Sequence, residues 1–218
     1  MSFLEVNDVT VKFNVGSALA ARIKREKPPI LTAVDGISFE AERGESIGIV
    51  GESGCGKSTL AKAITGLVPV ASGSIMLDGH ELTEHRDKAL RRRIQMVFQD
   101  PSSSLNPSLT VEQMLSELLR VHSIVPRDRI VERCNELMDL VNLRKSLLQA
   151  RPRRMSGGQR QRVGIARALA LEPDVLIADE SVAALDVSGQ APILNLINSL
   201  REELNLTLMF ISHDLAVV

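Results

Sequence analysis

The chain is poor in aromatic residues: Phe, Trp and Tyr make up 2% of its 218 residues, with no Trp and no Tyr. That argues against a single-strand nucleic-acid binder, which needs stacking platforms. A dominant charge is also missing. Twenty-six Lys and Arg against 27 Asp and Glu leave a formal net charge of -1, so bulk charge does not call for a polyanion partner, and no nucleic acid is expected. Cysteine is scarce. Cys55 and Cys134 fall in a glycine-rich turn and a helical pattern, so no structural disulfide is expected and a reducing compartment is the simple reading. Met1-Ser2-Phe3-Leu4-Glu5-Val6 lacks the basic start and apolar run of a signal peptide. No apolar run approaches a membrane span. The chain reads as soluble by itself, with any membrane role supplied through a partner.

What is present is ordinary globular composition, 44% hydrophobic and 24% charged, enough for one sizeable core. Alternation predicts strands over 4–13, 33–41, 46–50, 73–77 and 94–98, with Asp78-Gly79 as a turn pair. Residues 16–29 are small, polar and basic (Arg22, Lys24, Arg25, Lys27) and read as a loop. A helix is expected from Lys57 to Gly66. After Gln99-Asp100-Pro101 the pattern turns helical, with Val111, Met114, Leu115, Leu118 and Leu119 at one spacing and Ile130, Cys134, Leu137, Met138 and Val141 at another. A helix from about Gly157 to Leu171, a strand over 175–178, a helix through Ile193, Leu194, Ile197 and Leu200, and a strand over 206–211 follow. Strands alternating with helices predict a parallel sheet with its ligand at the carboxyl ends of the strands.

Two stretches carry chemistry. Gly51-Glu52-Ser53-Gly54-Cys55-Gly56-Lys57-Ser58 lies between a strand and a helix. Its glycines let backbone N–H groups turn inward on phosphate oxygens, Lys57 adds charge at the β and γ phosphates, and the Ser58 hydroxyl is placed for Mg²⁺. The apolar strand Val175-Leu176-Ile177-Ala178 ends in Asp179-Glu180. Asp179 can hold Mg²⁺ through water, and Glu180 can orient or deprotonate the attacking water.

Met155-Ser156-Gly157-Gly158-Gln159-Arg160-Gln161-Arg162 makes the pattern specific. It resembles the signature of ATP-binding-cassette ATPases. In that family's order, Gln99 matches the Q-loop glutamine, Ala183-Ala184-Leu185-Asp186 the D-loop, and His213 the switch histidine. Phe13 stands where an aromatic stacks on adenine. Phe98-Gln99-Asp100-Pro101, Ser104-Leu105-Asn106-Pro107 and Leu185-Asp186-Val187-Ser188 resemble the ATPase subunits of bacterial dipeptide and oligopeptide importers, a branch that also takes in nickel and glutathione importers.

The resemblance implies an α/β P-loop NTPase fold: a mixed-sheet core and an antiparallel β subdomain from residues 1–99 and 156–218, with a helical subdomain at about 100–155. It implies ATP and Mg²⁺ as ligands. Phe13 would meet the base, and Gly51 to Thr59 the phosphates. Ser58, Gln99 and Asp179 would hold the metal, and Glu180, His213 and Gln99 would serve hydrolysis. Ser156, Gly157, Gly158 and Gln159, with Asp186, would complete the nucleotide site of a second ATPase subunit, identical or related. Two permease subunits and, indirectly, a substrate-binding protein are implied, at the cytoplasmic face of the inner membrane. Cassette ATPases acting on DNA or ribosomes fit less well, since the segment from Asp100 to Met155 has no room for a long coiled-coil insert. Three departures stand out. Phe13 replaces the commoner Tyr. Ser181 stands where Pro is usual. Pro152-Arg153-Arg154 replaces Pro-His-Glu and reads as a solvated basic loop or, alternatively, as a contact to an acidic partner surface. The family pattern also continues beyond the end of this chain, so a shortened chain acting as a non-hydrolysing nucleotide scaffold is the competing expectation.

Overall fold

The structure is a computed structural model, and it describes residues 2–15, 29–83, 86–98, 104–179 and 187–213. In chain order the elements are β1 (Leu4–Asn14), β2 (Ile30–Ala41), β3 (Ser46–Val50), α1 (Lys57–Ile64), β4 (Ser72–Leu77), β5 (His80–Glu81), α2 (Lys88–Arg93), β6 (Ile94–Val97), α3 (Val111–Val121), α4 (Ile130–Leu140), α5 (Gly157–Leu169), β7 (Val175–Asp179), α6 (Val187–Leu204) and β8 (Thr207–Ser212).

The strands form two sheets. One is antiparallel in the order β2-β1-β4-β5, the other parallel in the order β3-β8-β7-β6. In the antiparallel sheet Gly73, at φ +88°, passes so close to β1 that an added Cβ would lie 2.3 Å from the Asp8 carbonyl oxygen. Only glycine fits there. The turn Asp78-Gly79 has positive φ at both residues, 55° and 75°, the requirement of a tight two-residue hairpin, and it joins β4 to β5.

The parallel sheet is the centre of the molecule. All five residues of β7 and all six of β8 are buried, as expected for strands covered on both faces. Their alternation sorts the core in two. Leu176 and Ala178 of β7, Leu208 and Phe210 of β8 and Val97 of β6 face α3, α4, α5 and α6. Val175, Ile177, Met209, Ile211, Ile94 and Met96 face α1 and the antiparallel sheet, where Leu4, Val6, Leu60, Ile64, Ile75 and Leu77 pack. One strand's period of two thus glues both layers to a single sheet.

Charge ties the same layers at the rim. Asp174, just before β7, accepts from Arg43 at 2.9 Å and from Arg93 at 2.5 Å, and Arg93 also reaches Asp78 of the β4–β5 turn at 2.9 Å. The Arg43 guanidinium lies 3.9 Å from the Phe3 ring centroid. Arg93 beside Asp78 holds that carboxyl below its usual range. Arg86 is 8% exposed and caps the end of α1, donating to the Ile64 carbonyl, to the Ala63 carbonyl at 3.2 Å and to the Thr83 carbonyl at 3.1 Å. Burial pushes its guanidinium down to about 10, a cost offset by three carbonyls and the negative end of the helix dipole.

The boundaries differ from expectation at a few points. Helix α1 stops at Ile64 because Thr65 caps it and Gly66 turns to φ 77°. Strand β2 begins at Ile30 rather than Ala33, carried by its ladder with β1. Helix α2 was not legible: six residues give too little periodicity, and its start is fixed by Asp87, whose side chain accepts from the Leu90 N–H at 2.7 Å. Cys55 is exposed, Cys134 is buried, and they form no disulfide. Among the described residues no helix is long and apolar enough to cross a membrane.

Candidate functional site

The parallel sheet aligns the carboxyl ends of its strands. Val50 of β3 pairs with Ser212 of β8, and Asp179 of β7 pairs with Ile211 of β8. The loop 51–56, Asp179 and His213 therefore leave the sheet side by side, the position where parallel α/β sheets bind ligands.

The loop's shape follows from its glycines. Gly54 and Gly56 have φ of +83° and +105°, and a Cβ on Gly56 would lie 2.2 Å from the Ala33 carbonyl oxygen of β2. Helix α1 begins immediately after, with no side-chain cap and no acidic residue in its first turn. Its leading N–H groups and the positive end of its dipole are thus left for an anion. Lys57 is only 8% exposed. Its Nζ donates to the carbonyls of Gly51 and Glu52, both at 2.8 Å, so one ammonium staples the loop across its opening. A buried charge held by two neutral carbonyls is incompletely compensated, and it favours an arriving anion.

Ser58 follows on α1. Its hydroxyl donates to Asp179 Oδ1 at 2.9 Å, and Asp179 is 6% exposed. The pair puts a hydroxyl and a carboxylate oxygen at the mouth of the loop, both hard donors. Thr59 is the next residue of the helix. Phe13 lies on β1, 38% exposed, paired with Leu31 of β2. The loop touches β2 at Ala33 and Val34, two to three positions along the same strand, so Phe13 flanks the loop. Sequence reading singled out Phe13 alone, but Val15, Ile30 and Leu31 beside it are 47%, 62% and 55% exposed and widen the apolar surface. Val15 lies past the strand expected over 4–13, and Ile30 and Leu31 lie before the one expected over 33–41, so alternation gave no reading of them.

His213 directly follows β8 and is exposed. Gln99, Glu180, Ser181 and Asp186 lie outside the described residues, as does the basic stretch 22–27. Strands β6 and β7 do end immediately before the segments that hold Gln99 and Glu180.

The stretch 156–159 forms a separate feature. Ser156 is the N-cap of α5 in a capping box with Gln159: its Oγ accepts from the Gln159 N–H at 3.2 Å, and the Gln159 side chain accepts from the Ser156 N–H at 2.9 Å. This accounts for Ser156 and Gln159 within the chain. It does not account for Gly158, where an added Cβ would meet nothing within 4 Å. The chain itself has room for a side chain there. Pro152 is buried in the turn before α5, with Arg153 and Arg154 exposed. No hydrogen bond among the described residues joins 156–159 to the loop 51–57.

A cleft of about 480 Å³, lined in part by Val68, Val70, Gly73, Leu82 and Arg86, lies at the far end of α1 and shares no residue with the loop.

Comparison with known proteins agrees with this geometry. The profile of the ABC transporter family matches residues 34–183. The chain is 46% identical over 221 residues to the oligopeptide transport ATP-binding protein AppF of Bacillus subtilis, covering 100% of this chain and 66% of that protein. It is 46% identical over 219 residues to the oligopeptide transport ATP-binding protein OppF of Escherichia coli, covering 99% and 65%. It thus spans just under two thirds of the length of these curated relatives. Among solved structures, the ATP-binding cassette MJ0796, a dimer in a post-hydrolysis state bound to ADP and Pi, superposes with a TM-score of 0.82 at 29% identity, covering 98% of this chain and 89% of that one. The cbiO1 protein of Clostridium perfringens, part of the ABC transporter complex cbiONQ, gives 0.81 at 31% identity, covering 100% and 81%. The fold is that of an ATP-binding cassette, and the chain belongs to the ABC transporter family.

Proposed function

We propose that this chain is the ATP-binding and ATP-hydrolysing subunit of an importer for peptides, acting as one half of a nucleotide-sandwich dimer. The observation that carries the reading is the buried Lys57 ammonium, stapled inside a glycine loop at an uncapped helix N-terminus beside the Ser58–Asp179 pair. The peptide assignment is supported by identity to the two oligopeptide transport proteins.

In this reading Phe13 stacks on the base, and the N–H groups of Gly51 to Thr59 receive the phosphates. Lys57 turns from its two carbonyls to the β and γ phosphates. Ser58 and Asp179 would hold Mg²⁺, joined by Gln99; a hydroxyl and a carboxylate oxygen suit a hard cation that takes its other ligands from water and phosphate. Bound there, Mg²⁺ supplies charge that offsets the phosphate oxygens. Glu180 orients the attacking water, and His213 steadies the transferred phosphoryl group. Ser156, Gly157 and Gly158 of one subunit close over the γ-phosphate held by the other, with Gln159 shaping that turn and Asp186 at the subunit boundary. Residues of about 100–155 act as the helical subdomain. Two permease subunits at the cytoplasmic face of the inner membrane, fed by a substrate-binding protein, receive the motion. Phosphate release by the Glu180→Gln variant tests the reading: ATP binding is expected to persist while turnover falls by at least about a hundredfold, and turnover at the parental rate would remove Glu180 from the reaction.

A further inference from the structure

Arg151, Arg153 and Arg154 are exposed on the turn that leads into Ser156. The backbone holds that turn in place. Pro152 is buried within it and Met155 is buried behind it. The Arg154 N–H donates to the Arg151 carbonyl at 2.9 Å, and the Met155 N–H to the Pro152 carbonyl at 3.1 Å. Arg160, in the first turns of α5, folds back and donates from Nη1 to the Met155 carbonyl at 2.7 Å. Its Nε is buried and has no partner among the described residues. Four guanidinium groups are thereby gathered at the start of one helix.

The chain does not answer their charge. Residues 140–171 contain eight Lys and Arg and no Asp or Glu. Among the described residues none of the four arginines makes an ion pair. The acids of neighbouring α4 are engaged elsewhere: Glu132 with Arg129 at 2.8 Å, Glu136 with Arg133 at 2.8 Å and Asp139 with Lys145 at 2.9 Å. One exposed arginine is an ordinary solvated charge. Several on one rim, with no acid among them, make a positive field that reaches about 8–10 Å into solvent at ordinary ionic strength. The surface that suits it is anionic, and the loop 51–57 builds one when it is filled. Its uncapped helix start and Lys57 receive a polyphosphate, and Glu52 is exposed beside them. Two copies arranged head to tail set each rim against the other's filled loop, and the two-fold axis makes the contact twice.

We propose that Arg151, Arg153 and Arg154 form an electrostatic steering rim whose partner is the nucleotide-loaded face of a second copy of this chain, so that the bound polyphosphate itself draws the two copies together. This rests on the sandwich reading above and adds the residues that set the rate and the salt dependence of closure. Charge at the rim of an interface acts chiefly on the association rate. An empty loop presents less negative charge, and one holding ADP presents less than one holding ATP, so the attraction is strongest for the ATP-loaded chain.

The test follows association by stopped-flow light scattering after mixing with Mg-ATP, in a Glu180→Gln background that keeps the nucleotide bound, at about 50 and about 300 mM KCl. The parent is expected to associate at least about fivefold faster at the lower salt. Arg153→Glu with Arg154→Glu should slow association at low salt by at least about tenfold and abolish or invert the salt dependence. It should leave ATP affinity of the monomer within about twofold by calorimetry. Arg153→Lys with Arg154→Lys keeps the charge and should keep the parental rate within about twofold, because a field needs charge and not the planar fork. Arg120→Glu with Arg127→Glu makes the same change of net charge at two other exposed positions and should retain most of the parental rate and its salt dependence. A parental rate and salt dependence in the double Glu variant overturns the proposal. So does equal slowing in the Arg120 and Arg127 control, equal slowing in the double Lys variant, or association of the parent at the same rate without nucleotide. A parent that binds Mg-ATP yet stays monomeric overturns the sandwich reading itself.

Discussion

Replacing Ser58 with Ala removes one oxygen from a site where that oxygen has two duties. In the free chain the hydroxyl donates to Asp179 Oδ1 at 2.9 Å, and Asp179 is 6% exposed. A hydrogen bond to a charged group contributes about 1.5–3 kcal/mol. The lower end applies, because Ser58 is half-buried and Asp179 has another interaction. Ser58 also sits in the first turn of α1, where Ala gains about 0.5 kcal/mol in helix propensity. The net loss is about 1 kcal/mol, a fall in Tm of about 2–4 °C for a domain of this size. The second duty appears only with metal. If the Ser58 oxygen is a Mg²⁺ ligand, the variant should lose about tenfold in affinity for Mg-ATP, about 1.4 kcal/mol, and little for ATP in EDTA. Calorimetric titration with and without EDTA, beside a thermal melt, separates the two. An unchanged Tm would refute the hydrogen-bond reasoning. Equal losses with and without metal would refute the metal assignment.

Other outcomes follow from the same geometry. Ser156→Arg removes the cap of α5 and puts bulk beside the bare Gly158 backbone; it should leave ATP affinity of the monomer within about twofold and lower ATP-dependent dimerisation, read by sedimentation, by at least about tenfold. Burial, together with nearby Arg92 and Lys88, lowers the pKa of His122. The neutral ring is then favoured in the folded chain, and the unfolded chain takes up the proton first as pH falls. Stability from this group should be present above about pH 6.5 and be lost progressively below it. Urea midpoints at pH 5.5 and 7.5 should differ less in His122→Gln than in the parent, and an identical difference would clear His122 of the effect.

The parts of the site that are local in sequence could be read from it. Gly54 and Gly56 announce a loop that only glycine can make, Lys57 and Ser58 follow at fixed offsets, and Asp179 closes an apolar run. The strands of the parallel sheet were equally plain, since burial on both faces leaves Val175 to Ala178 and Leu206 to Ile211 with almost no polar residue. What was not legible depends on residues far apart in the chain. Arg86 looks like a surface charge in a basic stretch, yet it caps α1 from more than twenty positions away. Arg93, Asp78 and Asp174 come from three segments and meet only once both sheets are stacked. The division of the strands into a core sheet and an antiparallel subdomain was expected from the family resemblance alone, because alternation records which face of a strand is buried and not which strand lies beside it. Gly158 is the reverse case. Its sequence context pointed to a function, whereas the structure shows only that no packing within the chain requires a glycine there.

The central claim is that the loop from Gly51 to Thr59 holds ATP through Lys57. Isothermal calorimetry of Mg-ATP against the parent and against Lys57→Ala tests it most directly. The account predicts saturable one-site binding by the parent and a loss of at least about a hundredfold in the variant, which forfeits a desolvated cation facing the β and γ phosphates. Equal affinity in the two proteins would contradict it.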